Sequence, residues 1–416
     1  GMDRRVLLAA LVLFAGGATG VGVAVFAFVG VDGATAEASV VWESDAVSGD
    51  DGTGTASVDV DGSTLLVQPA IVNGTHGIRA VAPGVGTQWT RAVAAQATPE
   101  AGGAARAPSG GVTTGQLDGD PVVATTTEDG RLVVRNAADG RKRFTVELGG
   151  SSGVTPTIGD PTGDGTNVVA AATTDGRIVV VGADGSRQFE ATVDGSVERR
   201  PLIVGPNPDP DGRETGIAGG IAVSTAGGDT GAVTLFDAAG TPLWERTPAV
   251  TPVSWTAAST RRGPVIALGG ANGNLEAIEV ADGSTRYEVG LQDRPVAVGG
   301  LDAGRVLVGG VGSVWAVDLL DGEVVWKQQY GGETRVNAPG VGDVANDGTP
   351  EVVAVNRQGA LLGLNRNGEP VLRGGLDGTD GTPVVYAGPL FADTDGDGTD
   401  EVVMVDETGR VSVLSS

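Results

Sequence analysis

Two hydrophobic patterns divide the chain. From Val6 to Val31 the residues are continuously apolar, with Thr19 the sole polar side chain among them apart from glycines. Beyond Val40 the apolar residues fall instead into short alternating runs, each closed by Asp-Gly, Asn-Gly or another glycine turn. A long unbroken run suits a helix crossing a bilayer, which takes about 20 apolar residues. Short alternating runs suit antiparallel strands, whose successive side chains face opposite ways. The chain therefore reads as residues 1–5 in the cytoplasm, a transmembrane signal anchor over 6–31, and an extracytoplasmic all-β domain over 32–416. Arg4 and Arg5 before the run, and Asp32 and Glu37 after it, set that single-pass orientation under the positive-inside rule. Small residues at Ala34, Ala36 and Ala38 leave the alternative of cleavage as a signal peptide.

The alternating region repeats itself. Copies begin near Ser63, Asp120, Thr166, Gly220, Gly263, Gly304, Glu351 and Glu401. "DPVVATTTEDGRLVVRNAADGRKRFTVEL" and "GPVIALGGANGNLEAIEVADGSTRYEVG" show the shared grammar: strand, glycine turn, strand, glycine turn, and a third strand carrying an aromatic residue. Turns such as Asp129-Gly130, Asp139-Gly140, Asp175-Gly176, Asp184-Gly185, Asn272-Gly273 and Asp282-Gly283 are expected to be type I′, in which both central residues take positive φ. Repeats of this length built from meanders predict a β-propeller of four-stranded antiparallel blades, with eight blades expected and seven if the copy at Ser63 is irregular.

The last copy stops at Ser416, one strand short. Outer strands elsewhere read "PLWERT" around Trp244 and "VVWKQQ" around Trp326, and the segment after the apolar run reads "SVVWES" around Trp42. That N-terminal strand is expected to complete the last blade, close the ring and cover its edge. Trp89, Trp244, Trp326, Phe144, Phe189 and Tyr287 occupy equivalent outer-strand positions and are expected to pack blade against blade. Residues 97–111, "ATPEAGGAARAPSGG", lack periodicity and read as a flexible insertion.

Charge narrows the setting. The formal net charge is -25, and lysine occurs only at Lys142 and Lys327. A surface this acidic repels itself in dilute salt and disfavours nucleic acid as a partner. In this respect the chain resembles proteins of halophilic archaea. Cysteine is absent, which excludes disulfides, thiolate metal sites and thiol nucleophiles.

One motif carries metal-binding chemistry. Asp393, Asp395, Asp397 and Glu401, with the carbonyl of Thr399, place oxygen donors at alternate positions around a glycine turn, as a calcium loop requires. Weaker versions lie at the same place in other copies: Asp343, Asp347 and Glu351, with Ala345 at the third position; Asp160, Thr162 and Asp164; and Asn207, Asp209 and Asp211. A chance acidic loop in an acidic chain is the alternative. Asn73-Gly-Thr75 is a glycosylation sequon in an expected turn.

At these loops the chain resembles the FG-GAP (integrin-α-like) repeat, and its hairpins and outer-strand tryptophans are similar to PQQ-like repeat propellers, including BamB-type scaffolds. The resemblance implies a propeller with structural Ca2+ in loops between strands, and it spans both enzymes and interaction modules. Catalytic candidates are scarce, since the one histidine, His76, lies beside an expected turn. Quinoprotein dehydrogenases of similar repeats typically carry vicinal cysteines and long insertions, which this chain does not show. The function expected is a membrane-anchored cell-surface scaffold that binds a protein partner in the cell envelope. The alternative is a quinone-cofactor dehydrogenase or a polysaccharide-acting enzyme using the propeller funnel.

Overall fold

The computed structural model describes residues 36–47, 52–96, 111–206, 219–226, 231–294, 296–329, 333–345, 347–376 and 383–416. The Val6–Val31 run and 97–110 of the expected insertion lie outside the described residues. Among the described residues every named element is a strand, and no helix is long and apolar enough to cross a membrane.

Each repeat copy builds one antiparallel group. The groups cover 56–96, 112–147, 157–192, 196–246, 252–290, 297–329, 340–375, and 390–415 together with 36–43. The strand that opens each copy in the sequence, for example Asp120–Thr126 or Glu351–Val355, is the second of its group. A further strand precedes it, often only three residues long, as in Thr157–Gly159 and Leu390–Ala392. In the group at 196–246 this first strand is broken into Ser196–Val197 and Leu202–Val204, both paired to Gly220–Ala226.

The first strands touch one another in succession and so form a ring. Contacts run from Ala56–Val60 through Val112–Leu117, Thr157–Gly159, Leu202–Val204, Pro252–Ala258 and Ala297–Asp302 to Gly340–Gly342, while Leu390–Ala392 returns to Ala56–Val60. Phe391 makes the remaining link: a Cβ on Gly342 would lie 2.4 Å from its ring, so only glycine allows the approach. The apolar core lies between neighbouring groups. Leu132 and Val134 pack with Val179 and Val181, for instance, and all four are fully buried. This is an all-β, propeller-like fold of four-stranded antiparallel sheets.

The N-terminal strand sits where the sequence placed it. Ser39, Val40, Trp42 and Glu43 oppose Ser415, Leu414, Val413 and Ser412, with a bulge between Val40 and Trp42. Trp42 packs against the cluster of Leu66, Val403 and Val413. A second pairing was not foreseen: Ala36–Ala38 runs parallel to Leu372–Gly374 and joins the last two groups into one eight-stranded sheet.

The turn chemistry differs from expectation. Gly130, Gly140, Gly176, Gly185, Gly273 and Gly283 have positive φ, but the Asp or Asn before each does not. These are therefore longer turns with glycine alone in the left-handed region, the bulged hairpin rather than type I′. The acid serves as an acceptor instead: Asp184 Oδ1 takes the Ser186 N–H at 2.9 Å, and Asp282 Oδ1 takes that of Ser284 at 2.9 Å. Two consecutive positive-φ residues occur at Asp61-Gly62, Asn73-Gly74, Asp118-Gly119 and Ala303-Gly304. Asp61-Gly62, Asp118-Gly119 and Ala303-Gly304 join a first strand to a second.

Candidate metal centre

The loop from Asp393 to Thr399 leads from the short first strand Leu390–Ala392 into Glu401–Val405. Its tight path comes from carboxylates folding back on backbone amides. Asp393 accepts the N–H of Gly396 at 2.7 Å and of Gly398 at 3.0 Å, and Asp397 accepts that of Thr399 at 2.8 Å. Gly396 and Gly398 both have positive φ, which lets the chain reverse between acids. Glu401, buried at the start of its strand, accepts from the N–H and hydroxyl of Thr394, each at 2.6 Å.

Asp393, Asp395 and Glu401 can each offer a carboxylate oxygen such that all three lie within 4.8 Å of one another. Asp397 stands outside that group. Thr399 is buried, and its hydroxyl oxygen lacks a hydrogen-bond partner. Oxygen donors on a flexible glycine loop suit a hard divalent ion, and calcium accepts irregular geometry more readily than magnesium.

The weaker loops behave differently. In the Asp343 loop, Glu351 turns back on the N–H groups of Val344 and Ala345 at 3.1 and 3.0 Å, and Asp343 accepts from Gly348 at 3.1 Å. Burial, and then the charges of Asp347 and Asp343, push the Glu351 carboxyl up. In the Asp160 loop, Asp160 takes four hydrogen bonds, from the amides of Thr162, Gly163 and Gly165 and the Thr162 hydroxyl. Burial alone would raise its pKa, but these bonds outweigh it and hold the carboxyl below its ordinary value. Asp164 caps the Thr166 amide. Among the described residues the Asp343 and Asp160 loops form no three-carboxylate cluster. Asn207, Asp209 and Asp211 lie outside the described residues.

Asp400 escaped the sequence reading. Its N–H donates to the Asp343 carbonyl at 3.0 Å and its carboxylate accepts the Asp343 N–H at 3.3 Å, so the two acidic loops are joined. Burial pushes its pKa up, and the charges of Asp343, Asp393 and Asp59 add to the rise against the opposing hydrogen bond from the Asp343 amide. The signal was present in the sequence, as an acid adjacent to the motif, but its partner lies 57 residues away.

His76 is in the strand Thr75–Ala82, opposite Ile71 and just past the Asn73-Gly74 turn. Asn73 is exposed at the tip of its turn, with φ at 53°. Three arginines also escaped the sequence reading. Arg200, Arg335 and Arg357 are scattered along the chain but share the wall of one cavity.

Comparison with known proteins gives the class. A family model described as "Outer membrane protein assembly factor BamB" matches residues 229–382. No curated protein matches the chain by sequence. Among solved structures the chain is similar to BamB from Moraxella catarrhalis, at 17% identity and a TM-score of 0.58, over 91% of this chain and 98% of that one. It is also similar to the C-terminal WD40 domain of Sif2, at 11% identity and a TM-score of 0.59, over 92% and 99% of the two chains. A third neighbour is BBS1N, solved in complex with ARL6DN, at 16% identity and a TM-score of 0.50, over 73% and 90%. The class is thus a β-propeller-like fold. Over 229–382 the chain is similar in sequence to the PQQ-like repeat family of BamB.

Proposed function

We propose that this chain is an eight-bladed propeller scaffold that binds a protein partner at the outer face of the cell membrane, held there by the Val6–Val31 helix. The observation that carries this reading is the BamB match over 229–382, since its described protein is an assembly factor. BBS1N, solved in complex with another protein, is a second propeller of this shape engaged with a partner. The count of eight rests on the repeat copies, each of which supplies the second strand of one four-strand group. The Asp393 loop then holds calcium as a structural ion, with Asp393, Asp395 and Glu401 as carboxylate ligands and Asp397 and the Thr399 carbonyl completing the set. Its role is to neutralise the clustered acids and fix the entry to the last blade.

The test is affinity purification of the full chain from its native membranes in high salt, with mass spectrometry and an absorbance spectrum of the product. A stoichiometric protein partner, lost when the 32–416 domain is deleted, is expected. A bound quinone chromophore with no protein partner would overturn the scaffold reading in favour of an enzyme. Recovery of the chain only in the soluble fraction, beginning near Glu37 or Ser39, would overturn the anchor.

A further inference from the structure

A partly open cavity of about 620 Å³ is lined in part by first strands, among them Pro252–Ala258 and Ala297–Asp302. Small-molecule sites usually occupy about 300–1,000 Å³. Arg200, Arg335 and Arg357 line it, and among the described residues no aspartate or glutamate does. This inverts the composition of the chain, which holds 52 acidic residues against 27 basic ones.

The three arginines are not engaged with carboxylates elsewhere. None of them forms a salt bridge among the described residues, whereas Arg246, Arg286 and Arg366, outside the cavity, pair with Glu276, Glu279 and Asp302. Arg357 instead lays its guanidinium over the ring of Tyr386, 5.0 Å from the centroid, and its Nε is buried without a hydrogen-bond partner. Its backbone N–H donates to the Arg335 carbonyl at 3.0 Å, so the two cationic side chains leave neighbouring backbone. Burial, and then the charge of Arg357, lower the pKa of Arg335. Solvent reaches Arg200, yet burial lowers its pKa as well, a combination that fits a side chain on the wall of a narrow cavity.

Arg335 and Arg357, like charges on bonded backbone, repel, and an anion placed against them relieves the repulsion. The guanidinium fork matches a carboxylate or phosphate by paired hydrogen bonds. We propose that the cavity binds a small anionic molecule through its carboxylate or phosphate groups, with Arg200, Arg335 and Arg357 as the cationic wall and Tyr386 holding the Arg357 guanidinium in place. The site is independent of the scaffold reading and of the calcium loop, which lies in another part of the last group.

Isothermal titration of the detergent-solubilised full chain with citrate, and separately with inorganic phosphate, tests this at constant ionic strength set with sodium chloride. One-site binding of at least one probe is expected. A preference for citrate identifies a polycarboxylate ligand and a preference for phosphate a phosphate ester. Arg335→Gln and Arg357→Gln should each weaken binding about tenfold or more, the scale of a lost charge-assisted hydrogen bond. Arg141→Gln, on a side chain 81% exposed and remote from the cavity, should leave binding unchanged. Arg335 and Arg357 lie on bonded backbone, so Arg200→Gln, in the loop ahead of Leu202–Val204, repeats the test at a site outside any strand. No binding of either probe at millimolar concentration overturns the proposal, as does equal affinity in the folded cavity variants and the unchanged chain.

Discussion

Tyr287 shows how one side chain reports on blade packing. Its ring rests on Gly322 in the turn of the next group, where an added Cβ would meet Cδ2 at 2.6 Å. Its hydroxyl is buried and lacks a hydrogen-bond partner. Burial, with the charges of Asp318 and Asp321, raises its pKa well above the usual phenol value against an opposing effect of Arg286. The neutral form is therefore favoured in the folded state. As pH rises past about 10, the unfolded chain releases this proton first and stability falls. Tyr287→Phe removes an unsatisfied hydroxyl, so its stability at neutral pH should match the unchanged chain within about 1 kcal/mol. Its denaturation midpoint should also fall less steeply above pH 10. A steeper fall, or a large loss at neutral pH, would show that the hydroxyl has a partner. The glycines beneath these rings give a companion prediction. Gly283 has φ at 75°, and a Cβ there would lie 2.9 Å from the Trp244 ring, whereas Gly62, at 80°, has nothing within 4 Å. Gly62→Ala should cost about 1 kcal/mol from backbone strain alone. Gly283→Ala should cost clearly more, because the indole must move off its seat; equal losses in chemical denaturation would remove the packing argument.

At the scale of the element, the aromatic positions and the closing strand could be read from the sequence because each rests on a repeated local pattern. Trp89, Phe144, Phe189, Trp244, Tyr287 and Trp326 each sit on the turn glycine of the next group, namely Gly140, Gly185, Gly240, Gly283, Gly322 and Gly368. The indole N–H of Trp89 and Trp244 also reaches a carbonyl of that next group, at 2.9 and 2.8 Å. The first strands were not legible, because segments such as Gly340–Gly342 and Leu390–Ala392 are too short to show alternation and are set by ring contacts between distant residues. The same limit hid Asp400 and the cavity arginines, whose meaning depends on partners far away in the chain. It also hid a clasp at the closure. Arg79, 5% exposed, donates to Gln68 Oε1 at 2.7 Å, to the Asp45 carbonyl at 3.1 Å and to Ser44 Oγ at 3.2 Å, and reaches the Gly409 carbonyl at 3.4 Å. One guanidinium thereby ties the first group to the end of the N-terminal strand and to the last turn. Arg79→Met should cost about 1.5–3 kcal/mol in denaturant unfolding, as expected for hydrogen bonds to a charged group. Trp42→Ala should cost a similar amount for a half-buried aromatic. If both variants unfold at the same denaturant concentration as the unchanged chain, the N-terminal strand does not hold the ring together.

For the whole molecule, the net charge of -25 sets two separable demands on the solvent. Diffuse repulsion between surface carboxylates is relieved by any salt, because the Debye length shrinks from about 10 Å at 0.1 M to about 3 Å at 1 M. Repulsion inside the Asp393 cluster is local. Three carboxylate oxygens within 4.8 Å of one another, with Asp343 and Asp400 close by, are too near for bulk salt to screen, and the proposed calcium would neutralise them. Sodium chloride and calcium should therefore stabilise the chain by different routes. Raising sodium chloride from about 0.1 to about 1 M should raise the melting temperature steadily, in the unchanged chain and in Asp395→Ala alike. Millimolar calcium should add a further, saturable rise in the unchanged chain, about 2.7 kcal/mol when calcium is at one hundred times its dissociation constant. Asp395→Ala should lose that increment while keeping its salt dependence. Asp343→Ala should retain most of the increment, since its loop has Ala345 at the third position and turns Glu351 onto its own backbone. Thermal unfolding at fixed ionic strength, with calcium or a chelator, separates the terms. A calcium effect equal in all three proteins would assign it to general screening, and a melting temperature indifferent to sodium chloride would show that surface repulsion does not limit the stability of this fold.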